Sequence, residues 1–266
     1  MRLSDVTSGF RLPQLSHRVW KVWMRNKDVF MKTYKVNFLP PLFEPVLYLL
    51  ALGYGLGGFV QTVNGEPYIQ FIAPALVSMT MMFSSFYECT YGSFVRMYYQ
   101  KTFDAIIATP VNLEEVIAGE LLWGATKSLI NSIIVLGVVA AFGLARSPLF
   151  LLVPLISFIA GLSFSTAAMC FTAISPNIDS FNYPTFLFIT PMLLISGTFF
   201  PITALPQTVQ ILAQLFFPLT HTVALTRALV IGRLELNLIF SLAWLLVVTP
   251  VLFVLSINLM KRKLIK

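Results

Sequence analysis

The chain has 266 residues, 57% hydrophobic and 11% charged, with a formal net charge of +7 and a mean hydropathy of +0.82. Soluble domains carry about 25% charged residues, so these totals exclude a water-soluble globular domain and point to an all-α polytopic membrane protein. Nor does the positive charge mark a nucleic-acid binder: eight of the eighteen Lys and Arg lie in the first 35 residues and four more close the chain, with no soluble segment interleaving cations and aromatics.

Residues 1–36 form a basic arm carrying Arg2, Arg11, Arg18, Lys21, Arg25, Lys27, Lys32 and Lys35. It has no short apolar core ending in a small-residue cleavage site, so it is not read as a signal peptide. Within it, Val19, Trp20, Trp23 and Phe30 stand among Arg18, Lys21, Arg25, Lys27 and Lys32. That pattern predicts a helix lying in the membrane interface, aromatics toward lipid and cations toward the headgroups.

Residues 37–266 read as one membrane domain. Six segments are long and apolar enough to cross a hydrocarbon core of about 30 Å: residues 37–58, 68–91, 116–144, 149–175, 183–201 and 236–260. Between the second and third, residues 100–120 make one sizeable polar interruption. Residues 205–217 are apolar but too short to span, and Pro201, Pro206 and Pro218 bound them. Irregular backbone at membrane depth must be covered by protein or water, so 202–235 is expected to be a re-entrant outer hairpin packed on the spans.

Charge sets the orientation. With both ends inside, the inner side holds the eight cations of the arm, Arg96, Lys101, Lys261, Arg262, Lys263 and Lys266, against Arg146, Arg227 and Arg233 outside. Both termini are therefore expected in the cytosol. Cys89 and Cys170 fall inside spans toward that side, so no disulfide framework is implied.

Two motifs imitate nucleotide sites. Gly53-Tyr-Gly55-Leu-Gly57-Gly58 ends a membrane helix, without the strand before it and helix after it that a dinucleotide site needs. The four-residue spacing of Gly53 and Gly57 suits close helix packing instead. In the stretch from Gly119 through Gly124 to Lys127 and Ser128, two extra residues displace the lysine that a phosphate loop carries directly after its glycine. With His17 and His221 on opposite sides of the membrane and no Cys/His cluster, no catalytic or metal constellation stands out. Ionisable groups within spans are costly and mark functional positions: Glu44, Glu88 and Lys127. A Glu88–Lys127 pair would lower the cost of both.

Four stretches carry a resemblance: Phe43-Glu-Pro-Val-Leu-Tyr-Leu-Leu-Ala-Leu-Gly-Tyr-Gly-Leu-Gly57, Phe103-Asp-Ala-Ile-Ile-Ala-Thr-Pro110, Ser196-Gly-Thr-Phe-Phe-Pro201, and Pro218-Leu-Thr-His221 followed by Arg227. In order and spacing the chain resembles the permease subunits of ABC type-2 exporters, and among them the nodulation-factor (lipo-chitooligosaccharide) export branch. The resemblance implies an interface helix, six spans, re-entrant outer helices before the last span, and a bacterial cytoplasmic (inner) membrane location. It also implies a short coupling helix in the first cytosolic loop, docking on a separate ATPase that carries the ATP and Mg, so this chain holds no cofactor. Two permeases and two ATPases would form the working unit, surrounded by membrane lipids.

On that resemblance the coupling loop is 100–115 and the coupling helix 102–108, beginning at Thr102. Phe103, Ile106 and Ile107 would face the ATPase groove, flanked by Lys101 and Asp104. Pro110 stops the helix, and Asn112 is placed to cap the next one with Glu115 at its third position. The substrate path in this family lies between the two copies. Tyr48, Tyr54, Phe83, Phe86, Tyr87, Tyr183, Phe186 and Phe199 are candidates to offer rings to it, with Met79, Met81 and Met82 as adaptable neighbours.

The expected function is export of an amphipathic glycoconjugate or lipid-like substrate, not catalysis by the chain alone. Drug or antibiotic efflux by the same machine is the alternative within the class. A secondary transporter or channel would predict inverted repeats or paired broken helices, and no internal repeat is evident. A membrane-bound enzyme lacks its catalytic residues.

Overall fold

The computed structural model describes residues 12–60, 62–63 and 65–264; Arg2, Arg11 and Lys266 lie outside them. The first element, α1 (Val19–Lys32), buries Val19, Val22, Asn26 and Phe30, spaced three or four residues apart along one face. That face packs on the third long helix rather than only on lipid. Trp23 donates its indole N–H to Thr126 Oγ1 at 2.9 Å, and Phe30 meets Trp123 edge-on at 5.5 Å. Gly119 permits this approach: a Cβ there would sit 2.6 Å from Val22 Cβ.

The apolar runs become helices because in hydrocarbon each backbone N–H and C=O must be satisfied within the chain. The first span is α2 (Tyr34–Tyr48), continued by a π-helical stretch over Leu49–Gly55 and a 3-10 turn over Leu56–Gly58. Gly53 lies against Ile69, where a Cβ would come within 2.6 Å of the isoleucine side chain, so the first of the paired glycines does serve close packing. A two-residue hairpin follows, β1 (Thr62–Val63) antiparallel to β2 (Glu66–Pro67). Its Glu66 binds Arg146 at 2.6 Å and Arg233 at 2.7 Å, joining three loops at one end of the molecule.

The second span, α3 (Tyr68–Tyr87), runs on through π-helical stretches Glu88–Gly92 and Val95–Tyr99. It is longer than the expected 68–91 because Arg96 is paired inside the protein and does not end the helix. After α4 (Thr102–Ile107) comes α5 (Leu113–Ala141), opened by the expected capping box of Asn112 and Glu115. A 3-10 turn over Pro148–Leu152 leads into α6 (Val153–Ile174). Helices α3, α5 and α6 pack mutually and hold most of the core, with α2 far less covered.

The expected span at 183–201 is a continuous helical run over residues 178–195, ending earlier than expected and carrying a π-helical stretch. It comprises a 3-10 turn over Ile178–Phe181, α7 (Asn182–Pro184), a π-helical stretch over Thr185–Ile189 and α8 (Thr190–Ile195). Pro184 and Pro191 remove two backbone donors from this run, which continues helically through both with a π-helical stretch between them. The expected hairpin is formed by α9 (Gln207–Phe216) and α10 (Pro218–Ile231), bent by 93°. His221 fastens it: Nε2 pairs with the Gln214 carbonyl at 2.8 Å, Nδ1 with Ser241 Oγ at 3.2 Å, and the ring stacks on Trp244. The last span is α11 (Asn237–Leu264). Among the described residues five helices are long and apolar enough to cross a membrane, or six if the bent pair counts as one span.

The contact between α1 and α5 is testable. Gly119→Ala should lower the melting temperature of the detergent-purified chain, by about 1–3 kcal/mol in stability terms. Adding Val22→Gly, which removes the Cβ at 2.6 Å and the Cγ1 at 2.7 Å, should recover part of the loss; no recovery would place the strain elsewhere.

Candidate functional site

At the inner ends of α1, α3 and α5, as the charge count orients them, four charged side chains are drawn together. Arg96 donates from Nη1 to Glu88 Oε1 at 2.8 Å, and from Nε and Nη2 to Glu120 Oε2 at 2.8 and 2.5 Å. Lys127 Nζ reaches Glu88 Oε2 at 2.7 Å. Asn26 of α1 donates to Glu120 Oε1 at 2.8 Å, and Ser93 Oγ to Oε2 at the same distance. Two carboxylates thus meet two cations with their oxygens occupied, which is the condition under which buried charge is tolerated. Glu120 is completely buried.

Residue spacing explains the convergence. Glu120 and Lys127 are seven apart and lie on one face of α5, while Glu88 and Arg96 are eight apart on the second span. Reading the sequence marked Glu88 and Lys127 but assigned Arg96 to a cytosolic surface and passed over Glu120 and Asn26. The seven-residue spacing of Glu120 and Lys127 was the available signal.

The network reaches toward the short helix α4. Arg25 donates to Asn26 Oδ1 at 2.9 Å and to Thr102 Oγ1 at 3.4 Å. Burial lowers the Arg25 pKa from its ordinary value, with the Glu120 carboxylate opposing that shift and Arg96 adding to it. Lys101, at φ 53, makes the left-handed turn that swings the chain from the second span into α4. Phe103 is 1% exposed and packs into the core, whereas Ile107 is 41% exposed. This corrects the expected face: Phe103 anchors the helix to its own protein, and Asp104, Ala105 and Ile107 are presented outward, with Ile106 half-buried. A one-turn helix cannot bury its largest ring on both sides at once.

Behind α4 the loop is tied down. The Pro110 carbonyl accepts from Arg18, and Glu115 accepts from Ser16 Oγ at 2.5 Å and from the Asn112 amide at 2.8 Å. Glu114 pairs with Lys261 of α11.

On the other side of the network lies a cavity of about 730 Å³ between α2, α3 and α5. Tyr48, Phe83 and Tyr87 of the candidate path line it, together with Glu44, Glu88, Lys127 and Met79. The remaining path candidates lie elsewhere. Phe86 is fully buried against Phe171, as Met81 and Met82 are fully buried in the core. Tyr54, Tyr183 and Phe186 are exposed, and Phe199 packs against the core, its carbonyl accepting from the Tyr68 hydroxyl at 3.1 Å.

Neither phosphate-loop imitation has free amides to offer. The Gly119 to Ser128 stretch runs inside α5, and the Gly53 to Gly58 stretch lies in the π and 3-10 turns that end the first span. Among the described residues no group of three or more His, Cys, Asp or Glu is placed to hold a metal ion.

A polytopic helical bundle with an interface helix, a short helix beyond the second span and a bent hairpin before the last span defines a membrane permease. The model of the ABC-2 type transporter family matches residues 17–231, and the chain belongs to that family. It is 34% identical over 244 residues to nodulation protein J of Sinorhizobium fredii, covering 92% of this chain and 93% of that one. Nodulation protein J of Rhizobium leguminosarum bv. viciae is 35% identical over 247 residues, 92% of this chain and 94% of that one. The inner membrane transport permease YadH of Escherichia coli is 24% identical over 253 residues, 93% and 98% of the two chains.

The network predicts an order of mutational damage. Arg96→Ala leaves two buried carboxylates facing each other and should cost about 3–5 kcal/mol. Lys127→Met leaves Glu88 paired with Arg96 and should cost much less. Thermal unfolding of the purified variants measures both, and equal losses would contradict Arg96 as the shared partner.

Proposed function

We propose that the chain is the transmembrane permease subunit of an ATP-driven exporter, moving an amphipathic glycoconjugate or lipid-like molecule out across the bacterial inner membrane. A separate ATPase supplies the energy, two permeases and two ATPases form the working unit, and both termini face the cytosol. The observation that carries the reading is the placement of α4. It stands beyond the inner end of the second span with Asp104 and Ile107 outward, Phe103 anchored in the core, and Thr102 joined through Arg25 and Asn26 to the charge network.

That arrangement suits a rigid lever. A push on the exposed face of α4 is passed to Phe103 and to the Arg25–Asn26–Glu120–Arg96 chain, and so to α1, α3 and α5 together. Glu88 and Lys127 belong both to this network and to the cavity wall. Movement of the lever therefore bears on the walls of the space where cargo would sit, in the manner of rigid-body switching about a packed interface. The cavity supports an amphipathic cargo: three aromatic rings offer flat apolar faces, and a few polar groups stand among them. The resemblance to the nodulation-factor (lipo-chitooligosaccharide) export branch supports a lipid-bearing oligosaccharide as the cargo.

The purified chain alone should hydrolyse no ATP, and hydrolysis by it would overturn the reading. Asp104→Arg with Ile107→Asp should leave folding intact but lower cargo-stimulated hydrolysis by the co-purified ATPase by about tenfold, equivalent to about 1.4 kcal/mol. Normal coupling in that variant would remove α4 as the docking element. Reporter fusions at Val63, Ser147 and Thr208 should all read as external.

A further inference from the structure

Several hydrogen-bond acceptors line the cavity between α2, α3 and α5. Glu44 lines it in an exposed position, and among the described residues its carboxylate has no ion-pair or hydrogen-bond partner. Glu88, the other acid of the wall, is met by both Arg96 and Lys127. The uncompensated charge of the cavity is therefore that of Glu44.

The backbone adds to the surplus. Pro40, Pro41 and Pro45 lie inside α2. A proline has no N–H, so the carbonyls of Val36, Asn37 and Pro41 lose their helical partners four residues on. All three residues line the cavity. On the opposite wall Asn131 donates its amide N–H to Ser84 Oγ at 2.8 Å, while its Oδ1 is buried without a partner. The buried, unpartnered Asn131 oxygen calls for an explanation, and the Glu44 carboxylate and the proline-freed carbonyls line the same space. Beside them the rings of Phe83 and Tyr87 stack with centroids 5.6 Å apart and planes within 12°.

We propose that Glu44 makes this cavity charge-selective, admitting amphiphiles whose polar group donates hydrogen bonds and is uncharged or cationic, and rejecting anionic ones. The inference rests on the export reading and narrows its cargo. An unpaired carboxylate in the cavity wall repels a phosphate, sulfate or carboxylate head and attracts an ammonium. Hydroxyl and ammonium heads both bring the donors that Glu44, Asn131 and the freed carbonyls lack. The stacked rings then accept the flat face of a sugar or the charge of an ammonium.

The test uses the full chain in phosphatidylcholine nanodiscs and three probes with the same alkyl chain: dodecyl glucoside, dodecylammonium and dodecyl phosphate. Binding is read by thermophoresis against empty discs. The unaltered chain should bind the first two at least about tenfold more tightly than the phosphate, the ratio for about 1.4 kcal/mol. Glu44→Gln should bring the dodecylammonium and dodecyl phosphate affinities to within about threefold, and Glu44→Asp should keep the original order. If dodecylammonium alone is preferred, the head is a cation, which supports the selectivity; if dodecyl glucoside alone is preferred, with dodecylammonium no tighter than dodecyl phosphate, the charge of Glu44 does not select and the proposal is overturned. Equal binding of dodecyl phosphate by the unaltered chain would overturn it, as would an unchanged ranking in Glu44→Gln. Phe83→Ala should weaken the preferred probes, and undiminished binding would overturn the assignment of the site to this cavity. Binding needs no ATPase and transport does, so failure of this selectivity and failure of the export reading are distinguishable.

Discussion

Arg96 holds three helices together at one end of the molecule. Its guanidinium reaches Glu88 on its own helix and Glu120 on α5, and Glu120 in turn accepts from Asn26 on α1. In a low-dielectric interior such a set is stable only when complete, because each charge left alone would carry its full desolvation cost. That constraint fixes the depth of α1 against α5 and keeps the second span helical as far as Tyr99. It also fixes the position from which α4 departs.

Everything functional is arranged around this centre. On one side the left-handed turn at Lys101 and the buried Phe103 hold α4 in place, while the capping box, Arg18 and Glu114 secure the loop behind it. On the other side Glu88 and Lys127 form part of a cavity wall facing the proline-bearing helix α2. The opposite end of the molecule has its own smaller clamp, Glu66 between Arg146 and Arg233, which ties the loops around the hairpin. The result is a core of α3, α5 and α6 braced at both ends, with α2 left comparatively free along the cavity.

Much of this was legible before folding. Hydropathy marked the long helices, Pro110 and Asn112 marked the end of one helix and the start of the next, and the prolines at 206 and 218 marked the bent hairpin. A helix was expected over the aromatic and basic stretch of the arm, and α1 stands there, but its buried face packs on α5. Three features resisted. Arg96 resembled an inner-surface charge, because hydropathy rules count cations without knowing their partners. Phe103 resembled a docking residue, because a one-turn amphipathic helix does not reveal which side its own protein occupies. The run from 183 to 201 resembled a full-length span, because average apolarity does not show that its helix ends at Ile195.

The sequence by itself determined the class, the order of the long helices, the charge asymmetry and the family likeness. Each follows from local composition and short-range spacing, which hydrocarbon and backbone hydrogen bonding translate directly into helix. Only the tertiary structure decided that Glu88, Arg96, Glu120 and Lys127 form one neutral set while Glu44 stands outside it. Those groups are separated by up to 83 positions along the chain, and whether a charge is paired depends on which helices meet. Helix packing, through close approaches such as Gly119 against Val22, settles that question, and no local pattern contains it.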